Sequence, residues 1–172
     1  MILGLSLAAF TALHVAISLV GIVTGLAALT ALARGRWLPR WQAVFLATTL
    51  LTSLTGFLFP FHGFTPAIGV GIISTLVLAA AYATLYLFRL RGLAGLAYVI
   101  SAIVALWLNL FVLVVQSFLK IPALNAFAPT GTEPPFLVAQ AAALLAMVAL
   151  GVVIVRRGQI SPARNVASRF TA

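Results

Sequence analysis

Long apolar runs alternate with short polar or basic stretches along the whole chain, and this alternation predicts membrane-spanning helices. A hydrocarbon core of about 30 Å is crossed by about 20 helical residues. Five segments are long enough, at residues 2–33, 42–61, 66–88, 93–118 and 135–155. They are rich in Leu, Ala and Val and lack the strict alternation of barrel strands. The pattern predicts an all-α integral membrane bundle of five transmembrane helices in one domain, followed by a basic tail at residues 156–172.

The arginines predict the direction in which these helices cross. Nine of the ten Lys and Arg residues follow the first, third and fifth apolar runs, at Arg34, Arg36, Arg40, Arg89, Arg91, Arg156, Arg157, Arg164 and Arg169. Basic residues are enriched in the cytoplasmic loops of membrane proteins. We therefore expect the N-terminus outside and the C-terminus in the cytoplasm, and an odd number of crossings agrees with this. The first run lacks a basic start and is too long for a cleaved signal peptide.

Composition narrows the chemistry. Hydrophobic residues make up 64% of the 172 residues and charged residues 6%, so lipid must act as part of the solvent. The net charge of +9 is then explained by Lys and Arg side chains that face anionic lipid headgroups. We therefore expect the lipid bilayer, and no nucleic acid, as a partner. The chain has no cysteine and a single acid, Glu133, which excludes thiolate and paired-carboxylate mechanisms.

Most strongly polar side chains outside the arginine clusters are predicted to lie near the outer membrane interface. His14 is twenty residues before Arg34, hence about 30 Å along the first helix. The same counting places these others at similar depth or in the outer loops: His62, Asn109, Gln116, Lys120, Gln140 and Glu133. Polar side chains within transmembrane helices are uncommon and often mark functional sites.

Helical periodicity places these polar residues on the same helix faces as rows of small and hydroxylated residues. Asn109, Gln116 and Lys120 share one stripe of the fourth helix, and His14 continues a stripe through Gly21 on the first. Small residues let helices approach closely, so the stripes should face the interior of the bundle. We expect their polar ends to line a cavity open to the outside. The same pattern also arises without any function, if the stripes only pack helices together and their outermost polar residues contact water at the interface.

Several kinds of site fit such a belt. The favoured interpretation is a small amphipathic ligand, a quinone or a lipid, bound by His14, His62, Asn109, Gln116, Lys120, Gln140 and Glu133 within a membrane redox system. A haem held by His14 and His62 is an alternative. A metal held by those two histidines and Glu133 has no supporting spacing. The competing class is a structural or accessory subunit that binds a membrane protein partner or further copies of itself. The sequence does not indicate an enzyme acting alone.

Two stretches carry a resemblance to known proteins. Residues 51–66, LTSLTGFLFPFHGFTP, and residues 108–140 resemble a group of small uncharacterised bacterial membrane proteins. This resemblance implies a multi-pass protein of the bacterial inner membrane. More distantly, a helix followed by a basic turn and a Thr-rich helix is similar to the membrane proteins grouped as DUF2306. The chain lacks a histidine in its first basic turn, where that pattern has one, so no residue roles are carried over.

Overall fold

The computed structural model describes residues 1–60, 63 and 65–157, and this part of the chain is helical with no strand. The helices are α1 Leu7–Ala33, α2 Pro39–Gly56, α3 Pro66–Tyr82, α4 Leu93–Lys120, the short α5 Pro122–Asn125 and α6 Pro134–Arg156. A π-helical turn, Ala83–Leu87, extends α3. Ile2 and Leu5 form an isolated bridge before α1. The predicted all-α class is therefore confirmed.

Local sequence signals set the helix ends. Ser6 begins α1, where its side chain accepts a hydrogen bond from the Ala9 amide. Proline occupies the first turn of α2, α3 and α6, where its missing amide proton leaves no helix hydrogen bond unmade. Gly35 ends the turn after α1 with a φ of 77°, and the Arg36 amide donates back to the Ala31 carbonyl. This Schellman-type turn exposes the first arginine cluster.

Helix α4 lies at the centre of the bundle and contacts α1, α2, α3 and α6. α1 and α2 form an antiparallel hairpin along their whole length, because His14 meets Thr55 at one end and Gly25 meets Phe45 towards the other. α2 and α4 run parallel, since Tyr98 of α4 bonds to Gln42 near the start of α2. The bundle thus has two ends. We call the end near Arg34, Arg91 and Arg156 the arginine end, and the end near His14 and Lys120 the histidine end.

Four of the five predicted spans form helices long and apolar enough to cross a membrane: Leu7–Ala33, Pro66–Leu87, Leu93–Lys120 and Pro134–Arg156. These four helices support a multi-pass membrane protein. By length and apolarity the described part of the chain has four such helices rather than the five predicted, and α2 is the exception. This helix covers Pro39–Gly56 rather than residues 42–61, and it includes Arg40 and Gln42 together with a series of hydroxyl residues. Its polar side chains Gln42, Thr49 and Ser53 are buried against neighbouring helices.

The hydrophobic core lies mainly at the arginine end. Its largest buried members are Tyr98, Phe45, Leu29, Leu32, Leu46, Leu78, Leu106 and Ile154. Gly25 allows close approach of α1, because a Cβ there would lie 2.7 Å from the Phe45 ring and 3.0 Å from Leu106. Leu90 turns its side chain into this core from the loop before α4 and is 4% exposed. Towards the histidine end, the side chains of α4 from Asn109 to Val115 are only partly buried.

Candidate functional site

His14 lies on α1 against the last turn of α2. Its Nδ1 is 2.8 Å from the Thr55 hydroxyl oxygen, and its ring meets Phe59 edge to face with 5.3 Å between centroids. The Thr55 hydroxyl itself donates to the Leu51 carbonyl at 2.7 Å. A hydroxyl has one proton, so while Thr55 donates to Leu51 it accepts from His14, in the tautomer that carries the imidazole proton on Nδ1. The neutral imidazole then carries its free lone pair on Nε2, which has no hydrogen-bond partner among the described residues.

Asn109 lies on α4 where that helix meets α1 and α2. Its side-chain amide donates to the Thr49 hydroxyl at 3.1 Å. Gly21 of α1 makes this junction possible, because a Cβ there would lie 3.1 Å from Thr48 Oγ1, 3.2 Å from Thr49 Oγ1 and 3.6 Å from Asn109 Nδ2. The stripe of small residues on α1 therefore faces polar atoms of two other helices. Asn109 is half-buried, and its carbonyl oxygen has no assigned partner in the described part of the chain.

The two polar pairs belong to one seam, which we define as the α1–α2–α4 seam: His14, Gly21, Thr49, Thr55 and Asn109. His14 and Gly21 are seven residues apart on one face of α1, which separates their levels by about 10 Å. His14 thus lies nearer the histidine end and Asn109 deeper in the bundle. The two side chains do not touch each other, but both are attached to α2.

Gln116 and Lys120 continue the Asn109 stripe towards the end of α4, and both are exposed. In the described structure neither side chain makes a hydrogen bond to another residue. Their position on the same helical face places them beyond Asn109, towards the histidine end of α4. They form the rim of the seam rather than its interior.

Gln140 and Glu133 lie elsewhere. Gln140 donates from its side-chain amide to the Phe111 carbonyl at 3.2 Å, joining α6 to α4. Glu133 precedes α6 and accepts hydrogen bonds from the backbone and hydroxyl of Thr130 and from the Thr132 amide. Desolvation raises the pKa of Glu133, but the hydrogen bonds from Thr130 and Thr132 prevail and lower it to about 2. Both side chains hold the local structure together.

His62, the second histidine of the haem and metal alternatives, lies outside the described residues. Within residues 1–60, 63 and 65–157, no group of three or more His, Cys, Asp or Glu residues could hold a metal ion. His14 is the described side chain best suited to ligate a cofactor, since Thr55 fixes its ring and Nε2 is free. Hydrogen bonding of the second ring nitrogen is the usual way in which a ligating histidine is oriented.

Sequence periodicity identified His14 and Asn109 but not the residues that hold them. Thr55 lies on one periodic stripe of the second helix and Thr49 does not, but periodicity pairs neither with its partner. Thr55 meets His14, 41 residues away, and Thr49 meets Asn109, 60 residues away. Phe59 lies on the same periodic stripe as Thr55, beyond the end of α2. The sequence indicated the His14–Thr55 pair only in that the two residues lie at similar depth on neighbouring helices.

Comparisons with protein-family models, with curated proteins and with solved structures each found no match. The resemblance to small bacterial membrane proteins and to the DUF2306 group therefore stays a prediction. The case for function rests on the seam itself.

Proposed function

We propose that the protein binds a small amphipathic molecule, a quinone or a lipid, in the α1–α2–α4 seam at the outer side of the membrane. The observation that carries this proposal is the 2.8 Å contact between His14 Nδ1 and the Thr55 hydroxyl, which fixes the ring and leaves Nε2 without a partner among the described residues. In the tautomer with the proton on Nδ1, Nε2 is a free hydrogen-bond acceptor. The polar head of the ligand lies at His14, and its tail follows the apolar helices.

The chemistry of the seam selects the kind of head group. His14 Nε2 and the Asn109 carbonyl oxygen are both acceptors, so they favour a head that donates hydrogen bonds. A quinol has two such hydroxyl groups, whereas a quinone has none. A redox partner that reduces or oxidises the quinone would then be a separate membrane protein. Gln116 and Lys120 at the rim contact the head as it enters, while Gln140 and Glu133 take no direct part.

We propose that all five long helices cross the membrane. α2 pairs with α1 from the arginine end to His14, so its 18 residues cover about 27 Å of the same thickness. Its Gln42, Thr49 and Ser53 side chains avoid lipid because they are buried within the bundle. With the arginine end in the cytoplasm, the N-terminus lies outside and the C-terminus inside. The bacterial inner membrane is the location that fits this orientation and the sequence resemblance.

The first test is mass spectrometry of the organic extract from protein purified in mild detergent. We expect a stoichiometric quinol, quinone or lipid from the wild type and its loss from His14→Ala and from Asn109→Leu. Gln140→Leu is the matched control, because it removes an amide from a membrane helix without touching the seam. An extract without any bound molecule, or one equally depleted in Gln140→Leu, contradicts the proposal and favours a structural or accessory subunit.

Haem is a second candidate, and the fixed ring of His14 is the observation in its favour. An axial histidine needs a free nitrogen towards the iron and a hydrogen bond on the other, which is the arrangement that Thr55 provides. Absorbance spectra of the oxidised and dithionite-reduced protein distinguish the two candidates. A Soret band that disappears in both His14→Ala and His62→Ala identifies a haem protein. A flat spectrum together with a bound quinone or lipid supports the amphipathic ligand.

A further inference from the structure

A groove of about 440 Å³ lies between α4 and α6 at the arginine end. Its walls are Leu96, Val99, Ile100, Ile103 and Val104 of α4 and Val148, Gly151, Val152, Val155 and Arg156 of α6. Nine of these ten residues are apolar. The lining residues extend over eight residue steps of each helix, so the groove is about 12 Å long and runs along the bundle. It shares no residue with the α1–α2–α4 seam.

The charge at one end of this groove is the decisive feature. Arg156 is its single charged lining residue, and the guanidinium makes no hydrogen bond with another described residue. Its neighbour Arg157 is already engaged, because it donates to the Ala33 carbonyl at 3.1 Å. Arg91, in the turn before α4, belongs to the same end of the bundle. A cation therefore lies at one end of an apolar groove that runs along the bundle away from the arginine end.

We propose that this groove binds an anionic phospholipid, with one acyl chain between α4 and α6 and the phosphate at Arg156. A guanidinium matches a phosphate with two parallel hydrogen bonds, which makes arginine the fitting side chain for such a head group. The exposed walls at Ile100, Val148 and Val152 open the groove sideways, so the chain can enter from the bilayer. The site is independent of the ligand proposed for the seam.

Gly151 gives the groove its depth. A Cβ built on Gly151 would lie 3.5 Å from Cγ1 of Ile103, which is ordinary van der Waals contact. Alanine therefore fits without displacing any neighbour. The longer side chain of leucine would extend into the space between the helices and occupy the place of the acyl chain. Comparing Gly151→Leu with Gly151→Ala thus distinguishes the effect of filling the groove from the effect of replacing the glycine.

The head-group part is tested by native mass spectrometry of the detergent-purified protein titrated with phosphatidylglycerol or with phosphatidylcholine of the same acyl chains. We expect one phosphatidylglycerol to bind in preference to phosphatidylcholine. Arg156→Gln should reduce that preference about tenfold, the effect of losing one charged hydrogen-bonded contact. Arg157→Gln removes the same charge one residue away and should keep most of the preference. Equal losses in the two variants would show a diffuse basic surface and overturn the proposal.

The acyl-chain part is tested with the glycine pair in the same titration. Gly151→Leu should weaken the binding of both lipids, while Gly151→Ala should bind them as the wild type does. Unchanged lipid binding in a folded Gly151→Leu variant overturns the proposal. So does a lipid-free dimer that Gly151→Leu dissociates, because a second copy of the chain would then be the occupant. If Gly151→Leu does not fold, the comparison of the two arginine variants decides alone.

Discussion

The two ends of the bundle differ in how their side chains are used. At the arginine end, large apolar residues from all five long helices meet in one core, and even the tyrosine and glutamine there are buried. At the histidine end, α4 is only partly covered, and polar side chains are held by single hydroxyl groups of α2. The same five helices thus build one half around a shared apolar core and another half with polar contacts along the seam.

This difference separates stability from binding. In lipid, helices associate through close packing and hydrogen bonds rather than through the hydrophobic effect. The arginine end supplies that packing, and Gly25 lets the α1 backbone approach Phe45 there. The histidine end is left free to exchange protein contacts for contacts with a ligand. Substitutions in the apolar core and in the seam should therefore change different properties of the protein.

Truncation of the core should have the largest effect. Phe45 is fully buried, and Phe45→Ala should lower the free energy of unfolding by about 3–5 kcal/mol, because the packing around the ring cannot collapse completely. Phe57→Ala, near the histidine end, is the matched control, since its ring is 42% exposed. Thermal unfolding in detergent, followed by size-exclusion chromatography, measures both. Equal losses would show that packing does not differ between the two ends.

A single added methyl group gives the next largest effect. Gly25→Ala would place its Cβ 2.7 Å from Cδ2 of Phe45, so we expect a loss of about 1–3 kcal/mol from overpacking. Gly56→Ala is the counterpart at the histidine end, where the Cβ would lie 3.8 Å from His14. The same unfolding assay should find Gly56→Ala close to wild type. A tolerated Gly25→Ala would mean that α1 and α2 are not tightly packed.

Buried polar pairs sharpen the comparison further. Tyr98 donates to Gln42 at 2.6 Å, and the Gln42 amide nitrogen has no partner, so Tyr98→Phe would leave this buried side chain without any hydrogen bond. We expect a loss of about 1–3 kcal/mol. Thr49→Val breaks the Asn109 bond at the half-buried seam and should cost about 0.6 kcal/mol, the average for a hydrogen bond in membrane proteins. A larger effect for Thr49→Val than for Tyr98→Phe would reverse the assignment of the two ends.

Acid should have the smallest effect, confined to the loop before α6. The pKa of Glu133 is lowered from 4.5 to about 2 in the folded protein, so its ionised form is the one that folding favours. The stabilisation is complete above pH 4.5 and is lost as the pH falls towards 2. Glu133→Gln should lack this part of the acid dependence. Unfolding midpoints of the two proteins across this range give the difference, and identical curves would show that Thr130 does not hold the carboxylate.

Much of the fold followed from the sequence. The apolar runs predicted five spans, and four of them form membrane-capable helices with bounds within five residues of those predicted, because helix length and apolarity are local properties of the chain. α2 is less apolar than the other long helices, and average hydropathy along the chain does not show how its polar residues are accommodated. Its Gln42, Thr49 and Ser53 are compatible with a membrane bundle only because other helices cover them, and that cover exists only after assembly.

The candidate site was predicted in part. Periodicity brought His14 and Asn109 to small-residue faces, and both lie on the seam of the structure. Depth counting also grouped Gln140 and Glu133 with them, although the first bonds to an α4 carbonyl and the second to its own loop. Depth in the membrane can be counted along one helix, but the direction of a side chain around the bundle depends on which helices are neighbours.

The sequence by itself determined the class of the protein, its helices and its two chemically different ends, since these depend on residue type and spacing. Only the tertiary structure decided that Thr55 forms a hydrogen bond with His14 Nδ1 and that Gly21 brings α1 against Asn109. It also decided that Arg156 lines one end of the groove, whereas Arg157 donates a hydrogen bond to the Ala33 carbonyl of α1. Hydrogen bonds and grooves need atoms from separate helices within a few ångströms, and no local pattern specifies that approach.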